Sequence, residues 1–206
     1  MQLLTNPSQT LDLPSAPRHY QLTCRSCCAR FDDDGVRLHC PDDHPRALLQ
    51  VTYSEDHLTV EPAASGVFRY QRWLPVSRNR PSSARPLVYR SDLLSRDFAL
   101  AELWVSFSGY WPERGVLFET GTFKELEAET VLARLPEDFR GVLTVASAGN
   151  TAAAFARACS KESVPCLLVV PESALGALRF AGPLGKTVRL VVLSPPSDYS
   201  DAIDLA

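Results

Sequence analysis

The chain has 206 residues, of which 45% are hydrophobic and 22% are charged; this predicts a soluble protein that buries its own core but is short for two full domains. Its 21 Lys and Arg residues against 24 Asp and Glu residues, with a formal net charge of −3, leave no basic excess for binding nucleic acid. The start of the chain lacks the basic and apolar regions of a secretory signal, and no apolar run approaches the roughly 20 residues of a membrane span, so we expect a cytoplasmic protein without a membrane partner.

The first sixty residues predict a flexible arm followed by short strands. Segment 1–19 is polar and shows no hydrophobic period, which is typical of an arm. Four β-prone runs then predict strands arranged as hairpins: 20–24, 36–40, 48–53 and 58–60. We therefore expect an arm over 1–19, a zinc-ribbon-like module over 20–60 and an α/β core over 61–206.

Cysteines cluster at the two ends of the first predicted hairpin. Cys24 and Cys27 form a Cys-x2-Cys pair, and Cys40 is followed by His44 with three residues between them. Three thiolates and one imidazole can close a tetrahedral zinc site of the structural type, whose role is in folding rather than in chemistry. Cys28 is an alternative ligand to Cys27 with a less common spacing. A metal-free ribbon is the other interpretation of the same cluster.

After this module the chain predicts a connection and then alternating strands and helices. The aromatic run 67–75 is expected to pack, and the Ser, Arg, Asn and Pro composition of 76–86 is typical of an exposed loop. The expected strands are 103–107, 142–146, 167–170 and 188–193, and the expected helices are 122–135, 150–159, 173–180 and one that begins at Ser197 or Asp198. Strands that are apolar on both faces and separated by helices predict a parallel sheet covered on both sides. The remaining cysteines, Cys159 and Cys166, stand in apolar surroundings and are expected in the core.

Lys124 is the first candidate for chemistry. Thr122 and Glu125 have the spacing of a capping box, which predicts a helix start at Thr122 and places Lys124 in the first turn. The positive end of the helix dipole disfavours an ammonium group there and is expected to lower the pKa of this lysine. A neutral lysine amine is suited to forming a Schiff base with an aldehyde. An exposed structural lysine at a helix start is the alternative.

The second candidate is the turn of Ser147, Ala148, Gly149, Asn150 and Thr151. This turn follows a predicted buried strand and opens a helix, so its N–H groups and hydroxyls suit a carboxylate or a phosphate. Neither the phosphate-loop pattern nor the three-glycine dinucleotide pattern is present in it. An ordinary strand-to-helix turn with Ser and Asn as caps is the alternative.

Together these two stretches resemble a known family. A helix opening with Thr122-Phe-Lys124, followed by a strand, Ser147-Ala-Gly-Asn-Thr151 and a helix, is similar to the fold-type II pyridoxal-phosphate enzymes, which include threonine synthase and cysteine synthase. The runs Tyr110-Trp-Pro-Glu113 and Phe123-Lys-Glu-Leu-Glu-Ala128 resemble the cysteate synthases, a threonine-synthase-like branch with a Cys-rich N-terminal ribbon. The resemblance extends over about residues 20–206.

The resemblance implies roles for the candidate residues. Lys124 is expected to bind pyridoxal phosphate covalently and Asn150 to bond its phenolic oxygen, while Ser147, Ala148, Gly149 and Thr151 bind the substrate carboxylate. The implied reaction is a β-replacement in which O-phospho-L-serine and sulfite give L-cysteate and phosphate. The alternatives are a threonine-synthase-like enzyme acting on O-phosphohomoserine and a non-catalytic zinc-ribbon scaffold protein.

Two parts that the family supplies later in the chain are absent from this sequence. These are the Gly-rich loop for the cofactor phosphate and the Ser or Thr that faces the pyridine nitrogen; no Gly-rich run follows Asn150. We therefore expect a truncated or split enzyme, acting as a homo-oligomer or with a complementing C-terminal half.

Overall fold

The computed structural model describes residues 18–78, 80, 82, 84–180 and 182–206, which form a mixed α/β structure. The predicted arm, 1–19, lies outside these residues except for Arg18 and His19. The described residues contain ten β-strands and four α-helices, joined in places by short 3-10 helices. None of the helices in this part of the chain combines the length and the apolar composition needed to cross a membrane.

The first sheet is antiparallel and has three strands in the order β2-β1-β3. Its strands are β1 (Tyr20–Cys24), β2 (Arg30–Phe31) and β3 (Leu49–Tyr53). The predictions of strands at 20–24 and 48–53 are confirmed, but those at 36–40 and 58–60 are wrong. Both edges of β1 are already paired with β2 and β3. In addition, the Asp34 carboxylate accepts hydrogen bonds from the N–H groups of Val36 (2.9 Å) and Arg37 (2.6 Å), which holds that segment in a turn, and Leu58 is 63% exposed.

The connection after this sheet is more buried than its composition predicts. A 3-10 helix over Gly66–Trp73 buries Phe68, and Trp73 packs on Tyr53 with ring centroids 5.3 Å apart, as expected for the aromatic run. The prediction of an exposed loop over 76–86 is wrong in part, since Ala84 is fully buried. Ser77 bonds to the backbone of Ala133, so this segment is held against a later helix.

Two small antiparallel hairpins precede the main sheet. They contain β4 (Leu87–Arg90), α1 (Asp92–Asp97), β5 (Trp104–Phe107), β6 (Tyr110–Trp111) and β7 (Val116–Leu117). The strand predicted at 103–107 is confirmed as β5, but its expected place in the parallel sheet is wrong. It pairs along its whole length with β4 in an antiparallel hairpin. Trp104 is 61% exposed, whereas strands of a parallel sheet are buried on both faces.

The remainder is the predicted alternation of helix and parallel strand. It consists of α2 (Lys124–Arg134), β8 (Leu143–Ala146), α3 (Asn150–Glu162), β9 (Cys166–Pro171), β10 (Val188–Leu193) and α4 (Tyr199–Leu205). The sheet order is β10-β9-β8 and both pairings are parallel, which confirms the predicted parallel sheet. α2, α3 and β9 enclose the largest core cluster, and Cys159 and Cys166 lie within it as expected.

Two predicted helices differ from the observed ones, and for a third the structure decides between two predicted starts. α2 begins at Lys124 rather than Thr122, and the predicted capping box is wrong: the Glu125 carboxylate accepts from the N–H and hydroxyl of Thr120 instead. Phe123 already has helical dihedrals at the N-cap position, so the side chain of Thr122 reaches the Lys124 N–H at 3.3 Å. The helix predicted at 173–180 is a 3-10 helix over Glu172–Ala177. α4 starts after Asp198, which forms a capping box with Asp201.

Candidate functional site

Lys124 is the first residue of α2, where its amine lies close to acidic and aromatic neighbours. Its Nζ is 2.7 Å from an oxygen of Glu127 and 5.5 Å from the centre of the Phe123 ring. The lysine side chain is 33% exposed, so a small molecule in solvent can reach its amine. The structure therefore presents an accessible amine at a helix start.

The turn of residues 147–151 joins the carboxyl end of β8 to the first turn of α3. The first N–H groups of any helix lack intrahelical acceptors. Gly149 is the N-cap residue of α3 and no side chain caps this helix, so these N–H groups have no side-chain acceptor either. A Cβ added to Gly149 would meet nothing within 4 Å, which means that the space in front of the turn is open. Ser147, Ala148 and Thr151 are half-buried and Asn150 is exposed. The turn offers hydroxyls, an amide and an uncapped helix N-terminus to an anion.

α2 and α3 pack against each other, but the observed contacts do not join Lys124 directly to the turn. Glu119, which precedes α2, forms ion pairs with Arg157 and with Lys161 (3.0 Å), both in the second half of α3. Burial opposes the ionisation of Glu119, but these two cations outweigh it and lower the pKa of its carboxyl. Among the described residues, the hydrogen bond of the Lys124 amine goes to Glu127.

α4 reaches the turn from the other side. The hydroxyl of Tyr199 donates a hydrogen bond to the carbonyl of Ala146 at 2.9 Å, directly before Ser147. Sequence reasoning did not single out this tyrosine, because nothing in the local pattern of α4 indicates which strand end it meets.

The four predicted metal ligands lie together. The ligand atoms of Cys24, Cys27, Cys40 and His44 are all within 4.8 Å of one another. Two separations are 3.4 Å, from Cys24 Sγ to His44 Nε2, and 3.6 Å, from Cys27 Sγ to Cys40 Sγ. Ideal tetrahedral zinc with the usual bond lengths requires about 3.8 Å between two sulfurs and about 3.6 Å between sulfur and nitrogen. The donor set therefore has nearly the geometry of a closed zinc site, and Cys28 is not part of it.

Hydrogen bonds with the backbone shift the pKa values of two side chains in this cluster. The N–H of Cys27, with further N–H and thiol groups, lowers the pKa of the Cys24 thiol to about 7. The Ala29 N–H acts in the same direction on Cys27, but burial and the thiols of Cys40 and Cys24 outweigh it and raise the pKa of the Cys27 thiol. The Pro45 carbonyl, 2.7 Å from His44 Nδ1, and the nearby thiols raise the pKa of His44 to about 9. This carbonyl occupies one ring nitrogen and leaves Nε2 facing the three sulfurs.

A buried acid outside the candidate site was missed by sequence reasoning. Asp33 has a fully buried side chain and bonds to Arg18, Tyr20 and Arg134. Its neighbours Asp32 and Asp34 are exposed, and the run of three aspartates before Gly35 indicates only an acidic turn. The only available signal was the Asp-Gly step at 34–35, which marks a turn but not a buried contact.

Comparison with known protein families gives a match to the later part of the chain. Residues 114–206 match the model of the family described as pyridoxal-phosphate dependent enzyme. This stretch includes Lys124 and the turn of 147–151 but not the Cys/His cluster.

Curated relatives match almost the whole chain. A cysteate synthase of Methanospirillum hungatei is 40% identical over 90% of this chain and 43% of its own length. One of Methanosphaerula palustris is 41% identical, over 89% of this chain and 42% of the relative. One of Methanosarcina barkeri is 37% identical over 91% of this chain and 44% of the relative. The chain thus spans less than half the length of the curated relatives that it matches.

Proposed function

Since this chain is a relative of the cysteate synthases and its residues 114–206 match the pyridoxal-phosphate dependent enzymes, we propose that it is part of an enzyme that uses this cofactor for a β-replacement. The proposed reaction converts O-phospho-L-serine and sulfite to L-cysteate and phosphate: the bond from Cβ to the phosphate oxygen breaks and a bond from Cβ to sulfur forms. The observation that carries the proposal is that the stretch matching this family holds both an accessible amine at the start of α2 and an uncapped helix N-terminus after β8.

The donor set of these two elements fits the cofactor. Lys124 supplies an amine for the aldehyde of pyridoxal phosphate, and the Asn150 amide suits the phenolic oxygen of its ring. When bound, this cofactor supplies an electron sink for negative charge that develops at the substrate Cα. These residue roles are proposals supported by the family match and by the exposure of both side chains.

The remaining residues of the turn suit the substrate. The uncapped N–H groups at the start of α3 and the hydroxyls of Ser147 and Thr151 can bind and orient the α-carboxylate, since a helix N-terminus favours an anion. Gly149 keeps the approach to these N–H groups open. The amine of Lys124, when not bonded to the cofactor, is the group proposed to hold and move the Cα proton. Glu127 holds that amine by an ion pair, which the cofactor has to replace.

Borohydride trapping tests the cofactor proposal sharply, because the chain has only three lysines, Lys124, Lys161 and Lys186. The protein is mixed with pyridoxal phosphate, reduced with borohydride, digested and analysed by mass spectrometry. We expect the label on Lys124 and a yellow absorption band that Lys124→Ala abolishes. Lys186→Ala is the matched control and should keep both signals. Label spread equally over the three lysines, or no band, contradicts the proposal.

Substrate assays separate the two enzymatic alternatives. The chain is assayed alone and mixed with a polypeptide that corresponds to the rest of a curated relative, since it spans about 43% of that length. Sulfite-dependent phosphate release from O-phospho-L-serine supports the proposed reaction. Release from O-phosphohomoserine without sulfite supports the threonine-synthase-like alternative. A chain that binds no cofactor and turns over neither substrate in either setting supports the non-catalytic scaffold.

We also propose that Cys24, Cys27, Cys40 and His44 bind a structural zinc ion. The proposal is supported by the short separations among their ligand atoms and by the Pro45 carbonyl that orients the imidazole. A site with four protein ligands leaves no position for a substrate, so the ion would act in folding. All six cysteines are free thiols, which supports the proposed cytoplasmic location, where thiols stay reduced.

Metal analysis tests this ligand set. Purified wild-type protein is expected to hold one zinc ion per chain, and Cys24→Ser and His44→Ala are each expected to lose it. Cys28→Ser is the matched control, because this exposed thiol is adjacent in sequence but lies outside the cluster. Loss of zinc in Cys28→Ser with retention in Cys24→Ser would replace the proposed ligand set.

A further inference from the structure

The C-terminal end of α2 is capped by residues from the first 78 positions of the chain. The last four carbonyls of a helix have no intrahelical partner. In α2 the Leu132 carbonyl accepts from the Arg78 guanidinium at 3.0 Å, and the Ala133 carbonyl accepts from both the N–H and the hydroxyl of Ser77 at 3.0 Å. Arg18 donates to the Arg134 carbonyl at 3.4 Å. Three of the four carbonyls thus find donors far away in sequence.

Asp33 fixes the last side chain of the same helix. Its two carboxylate oxygens accept from Arg134 at 2.7 and 2.8 Å, and one also accepts from the Tyr20 hydroxyl at 2.6 Å. Burial opposes the ionisation of Asp33, but its donors, Arg134 first, outweigh it and hold the pKa of the carboxyl below its usual range. The bidentate geometry sets both the distance and the direction of the Arg134 side chain.

The loop that carries Asp33 approaches the helix end closely. Gly35 has a φ of +86°, and a Cβ at this position would lie 2.5 Å from the Arg134 carbonyl oxygen. Only glycine allows both this dihedral and this approach. The guanidinium groups of Arg18 and Arg78 also place positive charge at the negative end of the α2 dipole.

We propose that this set of residues, Arg18, Asp33, Gly35, Ser77 and Arg78, forms a helix-end clamp that positions Lys124. All five precede residue 114, where the family match begins. The inference rests on the proposed function, because it concerns the lysine that is proposed to bind the cofactor. Asp33, Ser77 and Arg78 are positioning residues: they act on Lys124 through α2 and do not touch its amine.

The physical basis is the stiffness of the helix: α2 packs against α3 along its length, and the clamp fixes its C-terminal end. Lys124 and Arg134 stand at opposite ends of α2, about 15 Å apart along the axis. At the lysine end, the polar contacts of α2 itself are local: Thr120 donates to the Glu125 carboxylate, and the Lys124 N–H donates to the Thr122 hydroxyl. The ion pairs to α3 in this region start from Glu119, which lies before the helix. A small tilt or slide at the clamped end therefore displaces Lys124, and an error of about 1 Å in a reacting group can reduce a rate by about a hundredfold.

The test measures cofactor binding in full-length variants that remain folded. Ser77→Ala with Arg78→Met removes the donor to the Leu132 carbonyl and leaves the Ala133 carbonyl with only the backbone N–H of residue 77. Asp33→Asn weakens the bidentate ion pair with Arg134. Each variant is titrated with pyridoxal phosphate well below its unfolding midpoint, and the fraction of Lys124 trapped by borohydride is measured. We expect the dissociation constant to rise by about tenfold or more, and Arg78→Lys with Ser77 intact to recover most of the affinity.

Arg72→Met is the matched control. It removes a guanidinium from an ion pair with Glu55 that does not involve α2. This control is expected to bind the cofactor as the wild-type chain does. Unchanged affinity in folded clamp variants overturns the inference, and so does an equal loss in Arg72→Met, because the effect is then not specific to the helix end.

Hydrogen exchange of the backbone amides separates a failure of this inference from a failure of the proposed function. If the wild-type chain does not bind pyridoxal phosphate, the proposed function fails and the titration reports nothing about the clamp. The clamp still predicts faster exchange in the clamp variants along α2, over residues 126–130, and not in Arg72→Met. Faster exchange that is confined to residues 132–135 would mean that the clamp orders only its own end of the helix and would overturn the inference.

Discussion

Residues 20–60, called the module below because the sequence predicts one there, and residues 114–206, called the α/β unit, are stabilised by different forces. In the module the buried apolar side chains are few: among its described residues they are Tyr20, Leu22 and Cys24. Its other contacts centre on the buried carboxylate of Asp33 and on the Cys/His cluster, of which only Cys24 is buried. The α/β unit instead encloses a continuous cluster of apolar side chains from α2, α3 and β9.

This difference follows from size. A region of about forty residues cannot bury enough apolar surface to fold on that basis alone, so it relies on charges, metals or a larger neighbour. Such interactions are directional and fail when one partner is lost. Apolar burial is distributed over many contacts and tolerates changes that keep the volume. Four experiments distinguish the two regimes, in order of decreasing expected effect.

Metal removal should separate the two regions most strongly. With a chelator in excess, we expect the β1–β3 sheet to lose its protection against hydrogen exchange, while β8–β10 keep theirs, because binding energy at a structural zinc site is folding energy. Exchange measured with and without the chelator on wild-type and Cys28→Ser protein provides the comparison. A module that keeps full protection without metal would show that the cluster contributes little to its stability.

Asp33→Ala should cost about 3–5 kcal/mol of unfolding free energy, since it leaves the buried guanidinium groups of Arg18 and Arg134 without their carboxylate. Asp32→Ala is the matched control: Asp32 is exposed, and its removal should change stability by at most about 0.5 kcal/mol. Urea unfolding followed by circular dichroism measures both. Equal effects of the two substitutions would contradict the view that the buried carboxylate joins the module to α2.

In the α/β unit a change of volume should matter more than a change of shape. Leu168 on β9 is fully buried, and Leu168→Ala is expected to cost about 2–5 kcal/mol because a cavity remains. Leu168→Met keeps most of the volume and should cost less than about 1.5 kcal/mol. The same urea titration checks the pair. A Met variant as unstable as the Ala variant would show that this core, too, depends on an exact fit.

Acid should remove the stabilisation that Asp33 gives to the contact between the module and α2. The pKa of Asp33 in the folded chain is below its ordinary value near 3.8, so the unfolded chain binds a proton first as the pH falls. The stabilisation from Asp33 is therefore present in full well above that value and is lost as the pH falls through the pKa of the folded state. The stability difference between wild type and Asp33→Asn, measured from pH 7 to pH 3, should shrink in acid. A difference independent of pH would contradict the ionic role of Asp33.

The secondary structure of the α/β unit could be predicted from the sequence, because its elements are long and strongly patterned. β9 is apolar on both faces and α3 is rich in alanine, and both were expected within two or three residues of their observed bounds. The elements that failed were short. Residues 36–40 have strand propensity, but β1 was already paired on both edges and Asp34 turned the backbone. Propensity cannot indicate which edge of a sheet is free.

The residues of the candidate site could be predicted from the sequence, but their contacts could not. The motifs around Lys124 and Asn150, and the four ligands of the Cys/His cluster, were visible as residue types at fixed spacings in the sequence. The partners of Lys124, Glu125 and Tyr199 were not, because they depend on where a helix begins and on which strand end it meets. The predicted capping box failed for this reason, although both of its residues are present.

The sequence by itself determined the chemistry that this protein can carry: an amine at a helix start, a polar turn after a buried strand, and a set of soft ligands for a metal. Only the tertiary structure decided that Asp33 is buried while Asp32 and Asp34 are exposed, and that Ser77 and Arg78 end a helix more than fifty residues away. The reason is physical. Local spacing and propensity act over a few residues, whereas the burial of a charge depends on which distant donors the completed fold brings to it.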